Sequence, residues 1–274
     1  MAVAHIIILL VTGAGVGFAS GLLGIGGAFI MTPIQYLVYT DMGVSTDIAI
    51  KLAFGTNLLV VLPTAISGVW RHNKNGVVYW KVAAIMGGCG MVAAYGGATL
   101  ATQLPGEVLK TTFGVVVIAG AIRMLIAGSQ EIGEEPKDNP WLWIAWAIPI
   151  GLITGIIGIG GGVLVIPVMM LALKFKVHNA IATSLAMMIF TSIGGLIGYI
   201  VNGLGIADLP PHSIGYVNIL TFSLLAVTSI GMAQVGAITA HRLQAKQLRY
   251  IFISIMFYMG LKILGLFTWL GWPI

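Results

Sequence analysis

Apolar residues run through this chain in stretches of about 20, the length that carries a helix across the hydrocarbon core of a bilayer. Residues 77–101, 108–128, 141–157, 181–201, 214–240 and 250–270 are such stretches, and 49–69 is another with Lys51 near its start. A membrane β-barrel would instead alternate apolar and polar positions over shorter segments, and no period of two dominates here. The pattern predicts an all-α polytopic membrane protein.

Glycines interrupt two of the apolar segments in the same way. Residues 17–37 read GFASGLLGIGGAFIMTPIQYL, and residues 151–171 read GLITGIIGIGGGVLVIPVMML. At a separation of 134 residues, Gly17, Gly21, Gly24, Ile25, Gly26, Gly27 and Pro33 return as Gly151, Gly155, Gly158, Ile159, Gly160, Gly161 and Pro167. Chance does not align five glycines, an isoleucine and a proline in this way. The chain is a duplication. Further on, AFGTNL at 53–58 returns as AIATSL at 180–185, and Ala94, Gly97, Ala98 and Ala101 return as Ala233, Gly236, Ala237 and Ala240. A polar stretch holding Glu131, Glu134, Glu135, Lys137 and Asp138 joins the copies. The expected organisation is a first transmembrane repeat over 1–128, a central linker over 129–140 and a second repeat over 141–274.

The basic residues bear on orientation. If each glycine-interrupted segment crosses once, Lys and Arg divide seven to six between the two sides. If each counts as two membrane elements, Arg71, Lys74, Lys81, Arg123, Lys137, Lys174, Lys176, Arg242, Lys246 and Arg249 face only Lys51, Lys110 and Lys262. Cations gather on the cytoplasmic side, so the second count is preferred. It makes the halves inverted repeats, each with a glycine-broken first segment followed by three spanning helices. Both termini then lie outside and the linker lies in the cytoplasm. Lys262 aligns with Arg123 without the loss of charge that inversion leads one to expect.

Composition agrees with a lipid environment. The 274 residues are 58% hydrophobic and 8% charged, against about 45–50% and about 25% in soluble domains. The net charge of +5 is scattered over short loops, which speaks for membrane orientation rather than nucleic-acid binding. A single cysteine, Cys89, excludes an internal disulfide. Residues 5–23 lack the basic start of a signal peptide, and their pattern recurs later, so they are expected to belong to the mature fold.

The repeated glycines carry the candidate chemistry. Gly24, Gly26 and Gly27, and Gly158, Gly160, Gly161 and Gly162, are too dense for a packing stripe and predict a break, with helix resuming near Ala28 and Val163. Freed N–H groups at the new helix start favour an anion. Such backbone survives in a membrane only inside protein or along a polar cavity. The pairs Gly17/Gly21, Gly151/Gly155 and Gly194/Gly198 have the spacing of close helix packing instead. A dinucleotide fingerprint would need a strand before the glycines, and none is expected. Thr56, Asn57, Thr183 and Ser184 are polar pairs repeated beside the breaks. They can donate to a bound oxyanion or bond a neighbouring helix.

GLLGIGGAFIMTP and GIIGIGGGVLVIP, followed by AFGTNL and AIATSL, resemble the paired signatures of the TauE/SafE sulfite exporter family over nearly the whole chain. The resemblance implies a permease for sulfite, a sulfonate or a related sulfur oxyanion in the cytoplasmic membrane. In the first motif Ala28 stands at the position of Gly162, so the two sites need not be equivalent.

Charged side chains are otherwise peripheral. Lys51, Arg123 and Lys262 lie near helix ends, where snorkelling explains them, and Lys51 can pair with Asp47 four residues earlier. No Asp or Glu occupies a helix centre, so carboxylate-based proton coupling finds no support. The five histidines lack metal-ligand spacing, and neither a metal nor a cofactor is expected. No G-x-S-x-G or H-E-x-x-H motif points to an intramembrane enzyme. The reading is a transporter of a small anion, with an anion channel as the alternative; the bilayer is its surroundings and a homo-oligomer is compatible with it. A midplane substrate site is expected from Gly24, Gly26, Gly27, Thr56, Asn57, Gly158, Gly160, Gly161, Gly162, Thr183 and Ser184 together.

Overall fold

The computed structural model describes residues 2–23, 27–74, 76–126, 138–239 and 245–266. Among these residues there are ten α-helices and no named strand: α1 (Val3–Leu23), α2 (Ala28–Asp41), α3 (Thr46–Asn73), α4 (Trp80–Gln103), α5 (Gly106–Ile126), α6 (Pro140–Ile157), α7 (Gly162–Leu171), α8 (Val177–Gly203), α9 (Ile219–Thr239) and α10 (Ala245–Ile263). Six of them (α1, α3, α4, α6, α8 and α9) are long and apolar enough to cross a membrane. The stretch expected to span from residue 214 becomes helical only at Ile219. Asn218 sets that start, its side-chain oxygen accepting from the N–H of Thr221 at 2.9 Å. Most of the central linker, including Lys137, falls outside the described residues, as does Arg242.

Each repeat opens with a helix and a shorter return helix. α1 has 21 residues and rises roughly 31 Å, whereas α2 has 14 and covers roughly 21 Å. The return is closed by His5, whose Nε2 lies 2.8 Å from the carboxylate of Asp41. Gly27, at the head of α2, sits against Val16 partway along α1, so α2 starts at mid-depth. In the second repeat α6 has 18 residues and its return α7 only 10.

Small residues set the packing and reveal the direction of each helix. Gly55 lies beside Tyr199, Leu58 beside Gly195 and Leu185 beside Gly68, so α3 and α8 are antiparallel. Gly114 meets Leu264 and Gly120 meets Met256, so α5 and α10 are antiparallel as well. α4 runs parallel to α8, with Met91 against Gly194 and Tyr95 against Gly198, and parallel to α6, with Gly90 against Gly151 and Ala94 against Gly155. α9 runs parallel to α3, with Ser229 near Thr64 and Gln234 bonded to Ser67, and parallel to α1, with Ser229 against Gly17. A Cβ at Gly97 would strike the carbonyl of Leu152, and one at Gly236 the carbonyl of Phe18, which is the duplicate of Leu152. Backbone approaches this close are the usual means of helix association in lipid. Thus α1 packs on α9 while its duplicate α6 packs on α4, the partners being exchanged between repeats. α1, α3, α4 and α5 each run opposite to their duplicates.

One end of the bundle therefore gathers the end of α3, the starts of α4, α6 and α8, and the loop after α7. There Lys81 pairs with Asp138 at 3.1 Å and the Tyr79 ring meets Phe175 edge-on at 5.1 Å. Arg71, Lys74, Lys174 and Lys176 belong to this end, while Lys110 and Lys262 belong to the other. Lys51, toward that other end, is buried and pairs with Asp47 at 2.8 Å, and Asp47 also accepts the N–H of Gly106 at 2.7 Å. Burial first, and then the Asp47 carboxylate, raise the pKa of the Tyr216 phenol in the neighbouring loop above its ordinary value.

Candidate functional site

The second glycine run breaks the helix as its composition demands. α6 stops at Ile157, and Gly158, Gly160 and Gly161 take φ of 62°, 79° and 104°. L-residues with side chains rarely enter this region, so the turn is written into the sequence as glycine. Helix resumes at Gly162, where Leu164 and Val165 donate the first bonds, both to the carbonyl of Gly161 at 2.9 Å. The N–H groups of Gly162 and Val163 precede that ladder and lie at the positive end of α7.

Hydroxyls surround the turn. Thr191 donates to the carbonyl of Gly160 at 2.9 Å and fixes its course. Thr154 Oγ1 and Ser192 Oγ are buried and have no hydrogen-bond partner among the described residues. A Cβ on Gly161 would stand 3.2 Å from Thr154 Oγ1, and one on Gly160 would stand 3.4 Å from Ser192 Oγ. Buried polar groups are nearly always satisfied, so two idle hydroxyls beside a helix start are open to a water or a ligand. Both are donors, and donors suit an oxyanion. Sequence reasoning passed over these two residues. A signal existed for Thr154, whose duplicate Ser20 is also a buried hydroxyl.

α3 ties this turn to the first repeat. The Phe54 backbone packs on Gly158 and the Val61 side chain on Gly160. Asn57 lies between them on the same stripe of the helix. Its Nδ2 donates to Thr32 Oγ1 at 2.6 Å, and its Oδ1 accepts from Gln35 Nε2, both partners lying on α2. Thr32, Gln35 and Asn57 are fully buried. Gly27, with φ 60°, heads this same helix. Gly24 and Gly26 lie outside the described residues.

The other expected residues do not converge on this point. Thr56 Oγ1 accepts the N–H of Asn218 at 2.9 Å, and Thr183 Oγ1 accepts the N–H of Tyr79 at 3.0 Å. Asn218 and Tyr79 are duplicates that immediately precede α9 and α4, so each threonine fastens a helix start of the opposite repeat. Because α3 and α8 are antiparallel, the Thr56 and Thr183 levels fall about 13 residues apart along the pair, roughly 20 Å. Ser184 donates to the carbonyl of Ile181 in its own helix at 2.8 Å. The single site formed by all four polar residues is therefore replaced by Asn57 at the turn and two structural latches away from it.

The latches make a prediction. Thr56→Val leaves the buried N–H of Asn218 unpaired, a loss of about 1–3 kcal/mol. Thr183→Val should cost less, because Tyr79 is 40% exposed and water can replace the hydroxyl. Thermal unfolding in detergent should show that order, with solute affinity unchanged in the folded fraction.

Comparison with known proteins accords with this architecture. Residues 9–263 match the family model described as sulfite exporter TauE/SafE. A probable membrane transporter protein of Methanocaldococcus jannaschii is 32% identical, with 94% of each chain covered. Another from Haemophilus influenzae is 25% identical over 89% of this chain and 92% of its own. The probable membrane transporter YunE of Bacillus subtilis is 24% identical over 96% and 99%. No solved structure matches.

Proposed function

The chain belongs to the sulfite exporter TauE/SafE family and is a multi-pass membrane transporter, and from this premise we propose that its cargo is a small anion, a sulfur oxyanion such as sulfite or a sulfonate. The observation that carries this reading is the Gly158–Gly161 turn. It combines a helix start at mid-bundle with the unpartnered hydroxyls of Thr154 and Ser192. Charge is stabilised there without burying a lysine, by N–H groups and hydroxyl dipoles in a low-dielectric setting. Asn57 adds an amide from the first repeat, and the Gly24–Gly27 run is the duplicate of the turn.

The burial of Thr154, Ser192 and Asn57 favours an occluded carrier over an open channel. The opposed directions of the duplicated helices support inverted repeats related by an axis in the membrane plane, with the cation-rich end in the cytoplasm.

Tracer uptake into proteoliposomes, across sulfite, sulfonates, thiosulfate and sulfate, tests the cargo. Saturable uptake with counterflow of at least one of these is expected; flux no higher than in empty vesicles for all of them would refute the reading. Membrane-impermeant labelling in a Cys89→Ser background tests the topology. Cysteines at 71 and 176 should react on the same side and a cysteine at 212 on the opposite one.

A further inference from the structure

The two repeats are chemically unlike where they meet, and the difference bears on the solute. In the first repeat Thr32, Gln35 and Asn57 form a hydrogen-bonded chain; the positions matching Thr32, Gln35 and Asn57 in the second repeat are Ile166, Met169 and Ser184. The direction of that chain is fixed at its first member. Thr32 Oγ1 donates its only proton to the carbonyl of Ala28 at 3.1 Å, so toward Asn57 it can only accept. Asn57 must then present Nδ2 to Thr32 and Oδ1 to Gln35. Gln35 in turn must present Nε2 to Asn57, which leaves its Oε1 pointing away from the chain. That oxygen is fully buried and has no partner among the described residues. While the Thr32 hydroxyl stays bonded to Ala28, neither amide can be turned over, alone or together, without setting oxygen against oxygen.

The free valence of the first repeat is thus an acceptor, whereas the N–H groups and hydroxyls of the glycine turn can donate. Asn57 shares its helix stripe with Phe54 and Val61, which touch Gly158 and Gly160, so the residue that Gln35 bonds lies within about one helical turn of the donors. We infer that Gln35 is a specificity-determining residue and that the transported anion carries a hydrogen-bond donor of its own. The oxyanion end meets the turn and its hydroxyls, and the donor meets Gln35 Oε1. Two sources fit that chemistry: a protonated oxyanion, or a sulfonate substituted with a hydroxyl or ammonium group. The inference rests on the anion reading above and narrows it.

A pair of isosteres tests it. 2-Hydroxyethanesulfonate and propane-1-sulfonate have the same number of heavy atoms and differ by one hydroxyl in place of a methyl. In competition against the tracer anion at fixed pH, the hydroxyl compound should be stronger by about tenfold or more, because a site built to accept a proton rejects an analogue that lacks it. Gln35→Met, which installs the residue of the second repeat, should bring that ratio close to one. If sulfite competes more strongly as pH falls while the two sulfonates remain equal, the donor is the proton of the oxyanion itself, and Gln35→Met should then flatten that pH dependence. Equal competition by the sulfonates with no pH dependence for sulfite overturns the inference in the wild-type protein, whether or not the variant folds. So does a preference that survives Gln35→Met. Failure of every anion to compete or enter is the different result that removes the anion reading as well.

Discussion

Gly160→Val is expected to reduce transport to the background of empty vesicles, a loss of about a hundredfold or more, in a protein that still purifies as a single species. Two effects act together. Gly160 sits at φ 79°, where a β-branched residue is a steric outlier and the backbone strain alone is of order 1–3 kcal/mol. Its new Cβ would also stand 2.9 Å from Val61 Cγ1 and 3.3 Å from Met188 Cε, before the γ-methyls are counted. The turn can relieve this only by shifting, and a shift misdirects the N–H groups of Gly162 and Val163. Gly88→Ala is the matched control, since nothing lies within 4 Å of a Cβ at that helical position. Binding by isothermal calorimetry and uptake should fall together in Gly160→Val and neither should change in Gly88→Ala. Full activity in a folded Gly160→Val protein would remove the turn from the mechanism.

Thr154→Val and Ser192→Ala should weaken anion affinity by about 1.5–3 kcal/mol each, roughly 10- to 150-fold, the worth of a hydrogen bond to a charged partner. The more telling expectation concerns stability. Neither hydroxyl has a partner among the described residues, so replacing it with a methyl or hydrogen removes a desolvated polar group without breaking a bond. The thermal midpoint of the ligand-free protein should hold or rise while affinity falls. A structural hydroxyl would give the reverse, lost stability at unchanged affinity, and that pattern in both variants would return these residues to packing. The Thr56 and Thr183 latches supply the contrast, because there the loss should appear in stability alone.

Much of this protein follows from its sequence because the relevant forces are local or periodic. Twenty-residue apolar runs have no stable alternative to helix in lipid, so the all-α fold was legible, as were the spans of α3, α4, α6, α8 and α9. Glycine density fixed the break, since only glycine tolerates the φ found at Gly158, Gly160 and Gly161. The recurrence of the motifs predicted a duplication, and the pairing of Lys51 with Asp47 followed from helical spacing.

What the sequence left undecided depends on which helix lies beside which, and in what direction. Thr56 and Thr183 look equivalent along the chain, and they are, but in antiparallel duplicates equivalence carries them to opposite sides of the centre. Repetition alone therefore suggested one polar site where packing makes two latches. Asn57 stays with the turn because α3 lays Phe54 and Val61 against it and α2 supplies Thr32 and Gln35. Thr154 and Ser192 are 38 residues apart in sequence and become neighbours of one turn only when α6, α7 and α8 are assembled. The idle state of their hydroxyls, like that of Gln35 Oε1, is a property of the surroundings. A residue's capacity to hydrogen-bond is given by its type, but whether that capacity is already used is decided by the fold.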